Sequence, residues 1–282
     1  MPFINCHAHT VISDGSDTML DMAKRASSLG HCALVVTDHN YSTDRNFAAG
    51  WRERDVIEEN SLSPIPIIIG AEISTPFGDH LLFGKDVLRN WEHYKSLLDG
   101  INRDFDLNLW IEVFRTYVLA KASLQGTPGF FRRYKTTPMP YAMILCHPRS
   151  PAGYYRRFPK EWWDLCHGFE IRNGMQEYDQ LDEGKEAVAF FRSMMPGCME
   201  LKNSDAHTVD QLTECHNEIP HEITNEAQLY KWLRSGRKNW RLNHPESNEA
   251  LKKFAEKALN GMHPCPPEYT KVLNDNMEDL LA

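Results

Sequence analysis

Two histidines one residue apart, His7 and His9, open the chain, and Asp14 follows within the same short stretch. Imidazole together with carboxylate is the donor set that holds zinc, manganese or iron. A single His-x-His pair arises often by chance. Here the theme recurs, in Asp38-His39, Glu72, His80, Cys146-His147-Pro148-Arg149 and Asp205-Ala206-His207. Nine candidate metal ligands therefore stand in six segments: His7, His9, Asp14, His39, Glu72, His80, His147, Asp205 and His207.

The runs between these residues suggest how they could meet. Short β-rich segments recur at Phe3–Cys6, Ala33–Thr37, Ile65–Ala71, His80–Phe83, Ala142–Cys146, Gly168–Ile171 and Met199–Lys202, and they alternate with helical patterns. Strands separated by helices imply parallel βα units and an α/β fold. Between the first two strands, Met19, Met22, Ala23, Ala26 and Leu29 recur at helical spacing, with Asp17 and Thr18 to cap the start and Gly30 to end it. In a parallel barrel the C-terminal strand ends open on one face, so ligands distant in sequence would converge on one pocket. Cys6 and Cys146 each precede a ligand histidine, and strand alternation assigns them to the opposite side, as core residues rather than metal ligands. Residues 90–135 hold no clear strand but a helix-like stretch through Leu97, Ile101, Phe105, Leu109 and Val113, which reads as a helical insertion placed to cover an active site. After Asn203 the pattern turns helical at Ala227–Leu233 and Glu249–Leu259. The reading is a barrel over 1–240 with its insertion, and a helical C-terminal extension over 241–282.

With 282 residues, 41% hydrophobic and 25% charged, the chain has the make-up of a folded globular protein. The 31 basic residues against 39 acidic ones give a formal charge of −8, which disfavours a long nucleic-acid groove and leaves small anions open. The start lacks the basic flank and apolar stretch of a signal peptide, and no run reaches the ~20 apolar residues of a membrane span, so the expected location is the cytoplasm, with no membrane partner. Seven cysteines without a Cys-x-x-Cys pair read as reduced thiols. The sequence sets no oligomeric state.

The ordered ligand set resembles the PHP (polymerase and histidinol phosphatase) family, over roughly residues 3 to 237 and most nearly in its small stand-alone metal-dependent phosphoesterases. The resemblance implies a distorted seven-stranded β/α, TIM-like barrel holding three divalent ions of manganese, iron or zinc. His7, His9, Glu72 and Asp205 would hold the first, Glu72 with His80 and His147 the second, and Asp14, His39 and His207 the third. It further implies hydrolysis of a small phosphomonoester, of nucleotide type, by a metal-bridging hydroxide, with Glu72 and Asp205 at the catalytic centre. The histidinol phosphatase branch typically carries His where this chain has Asp14, which counts against that substrate. These residues hold no segment that reads as a polymerase module, so a replicative-polymerase role is not expected, and no organic cofactor is indicated.

Arg149 and Arg172 follow strand ends, where a guanidinium can grip phosphate with two hydrogen bonds. Lys24 and Arg25 read as solvent-facing. Arg132-Arg133-Tyr134-Lys135 and Tyr154-Tyr155-Arg156-Arg157 interleave charge with rings able to stack on a base, or are ordinary surface. Asp38 reads either as a partner orienting a histidine or as a turn cap. Four other readings stay open: a 5′-to-3′ exonuclease on short oligonucleotides, a histidinol-phosphate phosphatase, a C–N amidohydrolase, and a non-enzymatic interaction module stabilised by metal.

Overall fold

The computed structural model describes residues 1–39, 47–103, 106–123, 135–138, 140–147, 158–175, 182–213 and 215–236. The chain divides into two compact units, residues 1–93 with 139–241, and residues 94–138 with 242–282. Arg149, the Tyr154–Arg157 stretch, Arg132–Tyr134 and the extension over 241–282 lie outside the described residues.

In the first unit, β1 (Phe3–Asn5), β2 (His31–Val36), β3 (Ile67–Thr75), β4 (Gly78–Phe83), β7 (Ala142–Leu145), β8 (Gly168–Asn173), β9 (Met199–Asn203) and β10 (Asn217–Glu218) form one sheet, in the order β10-β1-β2-β3-β4-β7-β8-β9. The helix α1 (Met19–Ser28) links β1 to β2 and α2 (Phe47–Glu59) links β2 to β3; α6 (Asp182–Met194) links β8 to β9. The Thr18 hydroxyl caps α1 by accepting the Asp21 N–H, and Met19, Met22, Ala23 and Ala26 are buried along one face, as their spacing predicts.

Two corrections concern strand direction and closure. β3 and β4 are antiparallel, as are β4 and β7, because Pro76-Phe77 turns the chain straight back and Gly78 takes the left-handed conformation, at φ 92°, that the turn needs. His80 therefore sits near the start of its strand, paired with Ile73 and Leu145, rather than at a C-terminal end. Among the described residues there is an eight-stranded mixed sheet rather than a closed seven-stranded barrel, and no strand ladder there joins β9 to β10. The sheet nevertheless curls until its ends communicate. Ala8, beyond β1, forms a parallel bridge with Ala206, beyond β9, and the Asn217 side chain accepts the Lys202 N–H at 2.8 Å while donating to the Lys202 carbonyl at 2.9 Å.

The core lies inside this curl. Ile4, Ala33, Val35, Ile68, Leu81, Phe83, Ile144 and Leu201 meet there, and α7 (Glu226–Leu233) covers one end with Leu229 and Leu233.

The second unit contains the end of α3 (Lys85–Arg103), which begins in the first unit, then α4 (Leu107–Val113), capped by Asp106, and a π-helical turn over Phe114–Val118. It also holds strands where none is expected: β5 (Ala120–Ser123) pairs antiparallel with β6 (Lys135–Pro138). At four residues each, Ala-Lys-Ala-Ser and Lys-Thr-Thr-Pro, they are too short and too weakly apolar to stand out as strands in the sequence.

Candidate metal centre

Beyond the ends of β1 and β2, and alongside Glu72 within β3, the backbone remains paired, and that pairing sets the ligands side by side. Thr37 N–H donates to the Ala8 carbonyl at 2.8 Å, Glu72 N–H to Thr37 at 3.0 Å, and His9 N–H to Ala206 at 2.8 Å. The loop after His9 folds back so closely that a Cβ on Gly15 would stand 2.6 Å from the His9 carbonyl oxygen, which leaves glycine the residue that fits. Asp38, open in the sequence between two roles, accepts Thr10 N–H at 2.6 Å and the hydroxyls of Thr10 and Ser13, both at 2.7 Å. It fastens this loop.

Glu72 is the hub. Its Oε2 lies 3.1 Å from His7 Nε2 and 3.2 Å from both His9 Nε2 and His39 Nε2. Its Oε1 lies 2.6 Å from His147 Nε2 and accepts the Cys146 thiol at 3.4 Å. The two oxygens of one carboxylate thus face two different groups of donors.

Three groups of metal-capable side chains result: His7, His9, Glu72 and Asp205; His9, Asp14, His39 and His207; and Glu72, Cys146 and His147. In the first, His7 Nε2 and His9 Nε2 are 3.1 Å apart, and Asp205 Oδ1 stands 3.2 and 3.1 Å from them. Ligands about 2.0–2.1 Å from a tetrahedral ion are separated by roughly 3.3–3.4 Å. The donors of this group already approach that spacing around a common centre. In the second group, Asp14 Oδ2 is 3.7 Å from His39 Nε2 and 3.5 Å from His207 Nε2, and the rings of His39 and His207 both stack on His9. Asp14 is 41% exposed, so the cluster opens to solvent on this side.

Eight of the nine residues singled out in the sequence are gathered into these groups; His80 stands outside them. Its Nδ1 is 2.9 Å from the Gly78 carbonyl, which must accept a proton there, and its Nε2 is buried with no hydrogen-bond partner. The same logic fixes two more rings: His207 Nδ1 donates to the Asp205 carbonyl and His7 Nδ1 to Glu170, each at 2.9 Å. In all three rings the Nε2 lone pair is the one left for a cation. The donor chemistry, the spacing and the orphaned nitrogen fit divalent ions.

Arg172 lies on β8 with its side chain exposed, past a register shift that separates it from Glu170. It is Glu170, not Arg172, that this strand contributes to the interior. Fully buried, Glu170 accepts from His7 Nδ1, from His147 N–H at 2.7 Å, from Asn203 at 2.8 Å and from Asn173 at 3.1 Å. An acidic residue within the apolar run Gly168-Phe169-Glu170-Ile171 was the available signal. Cys146 is buried in the core, as expected. It does face the core side with Ala142 and Ile144, yet the cluster sits directly on that side, since Glu72 pairs in register with core-facing Leu81. Two site residues hold positive φ, His147 at 21° and Asp205 at 53°, a conformation that His and Asp tolerate better than most and that turns each side chain off the strand direction.

Burial of His7 would lower its pKa, but Asp205, Glu72 and Glu170 outweigh it and raise the value well above the usual range. His9 is likewise raised to about 9 against its burial, by Asp205 and Glu72. Despite burial, Glu72 is held far below the ordinary carboxylate range by His7, His147 and His9. His80, with little carboxylate support, is pushed down to about 3 by burial. A field that favours protons on His7 and His9 favours cations there generally.

Residues 5–128 match the PHP domain model. No curated protein matches the sequence. Among solved structures, a protein from Bifidobacterium adolescentis described as a metal-dependent phosphoesterase is 14% identical, with 83% of this chain and 96% of that chain aligned and a TM-score of 0.43. A two-domain protein from Bacteroides vulgatus containing a PHP-like metal-dependent phosphoesterase is 17% identical over 74% of this chain and 53% of that chain, also at 0.43. An amidohydrolase from Chromobacterium violaceum, with bound sulfate and no metal, is 14% identical over 80% of this chain and 95% of that chain, at 0.40. These scores are too low for a neighbour's activity to transfer, and the chemistry is read from the site itself. Among the described residues no helix is long and apolar enough to cross a membrane.

Proposed function

We propose, from the match of residues 5–128 to the PHP domain model and from the geometry of the cluster, that this chain is a metal-dependent hydrolase that removes phosphate from a small phosphomonoester of nucleotide type. His7, His9, Glu72 and Asp205 would hold one ion; Glu72 and His147, with His80 nearby, a second; and Asp14, His39 and His207 a third. The observation that carries this reading is the division of Glu72, whose Oε2 serves the His7–His9–His39 side while Oε1 serves His147. Side chains that served only the fold would not need a buried carboxylate shared between two sets of imidazoles.

Bound divalent ions supply Lewis-acid stabilisation of phosphoryl oxygens and a water of lowered pKa. The rest is done by the chain. Glu170 Oε1 holds the Nδ1 proton of His7, and the Asp205 carbonyl holds that of His207, so both rings keep one tautomer and one orientation. Asp38 keeps the loop carrying Asp14 in place. The exposed side, at Asp14 and His207, is where an anionic substrate would enter. Arg149, two residues beyond His147 in sequence, is the side chain we assign to grip the phosphate.

The test is phosphate release by the manganese-loaded chain from nucleoside 5′-monophosphates, 3′,5′-bisphosphates, histidinol phosphate, sugar phosphates and a 5′-phosphorylated oligonucleotide. Release from one small-molecule class, abolished by Glu72→Gln, supports the reading. Turnover of the oligonucleotide alone, or activity intact in Glu72→Gln, overturns it.

A further inference from the structure

We propose that Cys146 is itself a metal ligand, joining Glu72 and His147 through sulfur and making their shared position select a thiophilic ion, zinc in preference to manganese. This inference rests on the metal-centre reading above and extends it to a residue outside the nine.

The geometry places the sulfur among donors. Cys146 Sγ is 3.4 Å from Glu72 Oε1, the same oxygen that stands 2.6 Å from His147 Nε2. A zinc ion with sulfur at ~2.3 Å and oxygen at ~2.0–2.1 Å sets those two atoms roughly 3.5–3.6 Å apart. The thiol needs only a slight shift to meet that edge. Cys146 is almost wholly buried, and the described cysteines Cys6, Cys32, Cys166, Cys198 and Cys215 belong to no comparable group.

An independent observation marks the same neighbourhood as wanting a cation. His80 lies on the adjoining strand, paired with Leu145 immediately before Cys146. Its Nε2 is fully buried without a hydrogen-bond partner among the described residues, and on its other side the strand pairs His80 with Ile73, the residue after Glu72. β3, β4 and the residues that follow β7 thus bring a carboxylate oxygen, an imidazole whose Nε2 is unpartnered, a thiol and a second imidazole to one region. In forming the bond, the sulfur donates an electron pair to the ion, the S–H bond breaks, and the proton passes to solvent; nothing is oxidised or reduced. Thiolate is a soft donor, and soft donors favour zinc over manganese beyond the general ordering of divalent ions.

The test uses the full chain, stripped of metal and titrated anaerobically with cobalt(II), which reports any bound site through visible d–d bands and a thiolate ligand through a near-ultraviolet charge-transfer band. Both sets of bands are expected in the wild type; Cys146→Ser should lose the charge-transfer band and keep the d–d bands, while Cys198→Ser keeps both. In zinc-against-manganese competition, Cys146→Ser should lose about tenfold of the preference for zinc. Visible bands in the wild type without a charge-transfer band, or a charge-transfer band surviving in Cys146→Ser, would overturn the cysteine ligand and leave the metal centre standing. The wild-type spectrum alone decides should Cys146→Ser fail to fold. Absence of all cobalt bands would overturn the metal-centre reading, and this inference with it.

Discussion

Glu170 Oε1 lies 2.9 Å from His7 Nδ1, with both side chains fully buried. The contact fixes which nitrogen of His7 carries its proton and leaves Nε2 directed at His9, Glu72 and Asp205. Glu170 also receives the His147 N–H, so it steadies ligands of two groups at once. Replacing Glu170 by Gln should weaken binding of zinc or cobalt by ~10–100-fold with the fold retained. Calorimetric titration beside far-ultraviolet circular dichroism checks this, and unchanged affinity would remove Glu170 from a positioning role.

Glu72→Gln turns a shared, doubly facing carboxylate into a neutral amide. Elemental analysis should find more than one ion lost per chain, because both oxygens serve donors. Metal content equal to wild type would argue strongly against Glu72 as the link.

Asp14 has the opposite character, being 41% exposed, bordering His9, His39 and His207 and accepting the Ser13 hydroxyl at 3.1 Å. Asp14→Ala should lose about one ion and most turnover while shifting stability by no more than ~0.5 kcal/mol, the usual range for an exposed side chain. Thermal melts of the metal-free protein, paired with metal analysis, separate the two effects.

Away from the cluster, His31 is buried and its pKa is lowered to about 4, first by burial and then by His216. The unfolded chain takes up a proton near the ordinary 6.5, whereas the folded chain does so only near 4, so stability present above pH 6.5 is lost as pH falls between those values. The full loss amounts to at most ~3 kcal/mol. His31→Gln should flatten this part of the curve of stability against pH in urea unfolding. A slope identical to wild type would show that His31 is not its source.

Much of the site is legible from local pattern. The seven strands expected from apolar runs all form, from β1 at Phe3–Asn5 to β9 at Met199–Asn203, because a buried strand declares itself through its own side chains. The α1 start at Thr18 is legible for the same reason. Where the pattern is silent, the cause is physical. β5 and β6, paired with each other, are four-residue strands without an apolar run, and the direction of β4 depends on a turn at Pro76-Phe77-Gly78 that hydrophobicity does not report.

Residue type and spacing along the chain were enough to pick out His7, His9, Asp14, His39, Glu72, His147, Asp205 and His207, because cation-binding chemistry draws on few kinds of side chain. Tertiary structure decided which of them face one another, which oxygen of Glu72 serves each side, and that Glu170 and Cys146 lie against them while the Arg172 side chain is exposed. Those outcomes follow from the curl of the sheet and from the register shift after Glu170, which are set by backbone pairing between strands far apart in sequence. Alternation along a single strand says which side a residue faces; only the assembled sheet says what waits on that side.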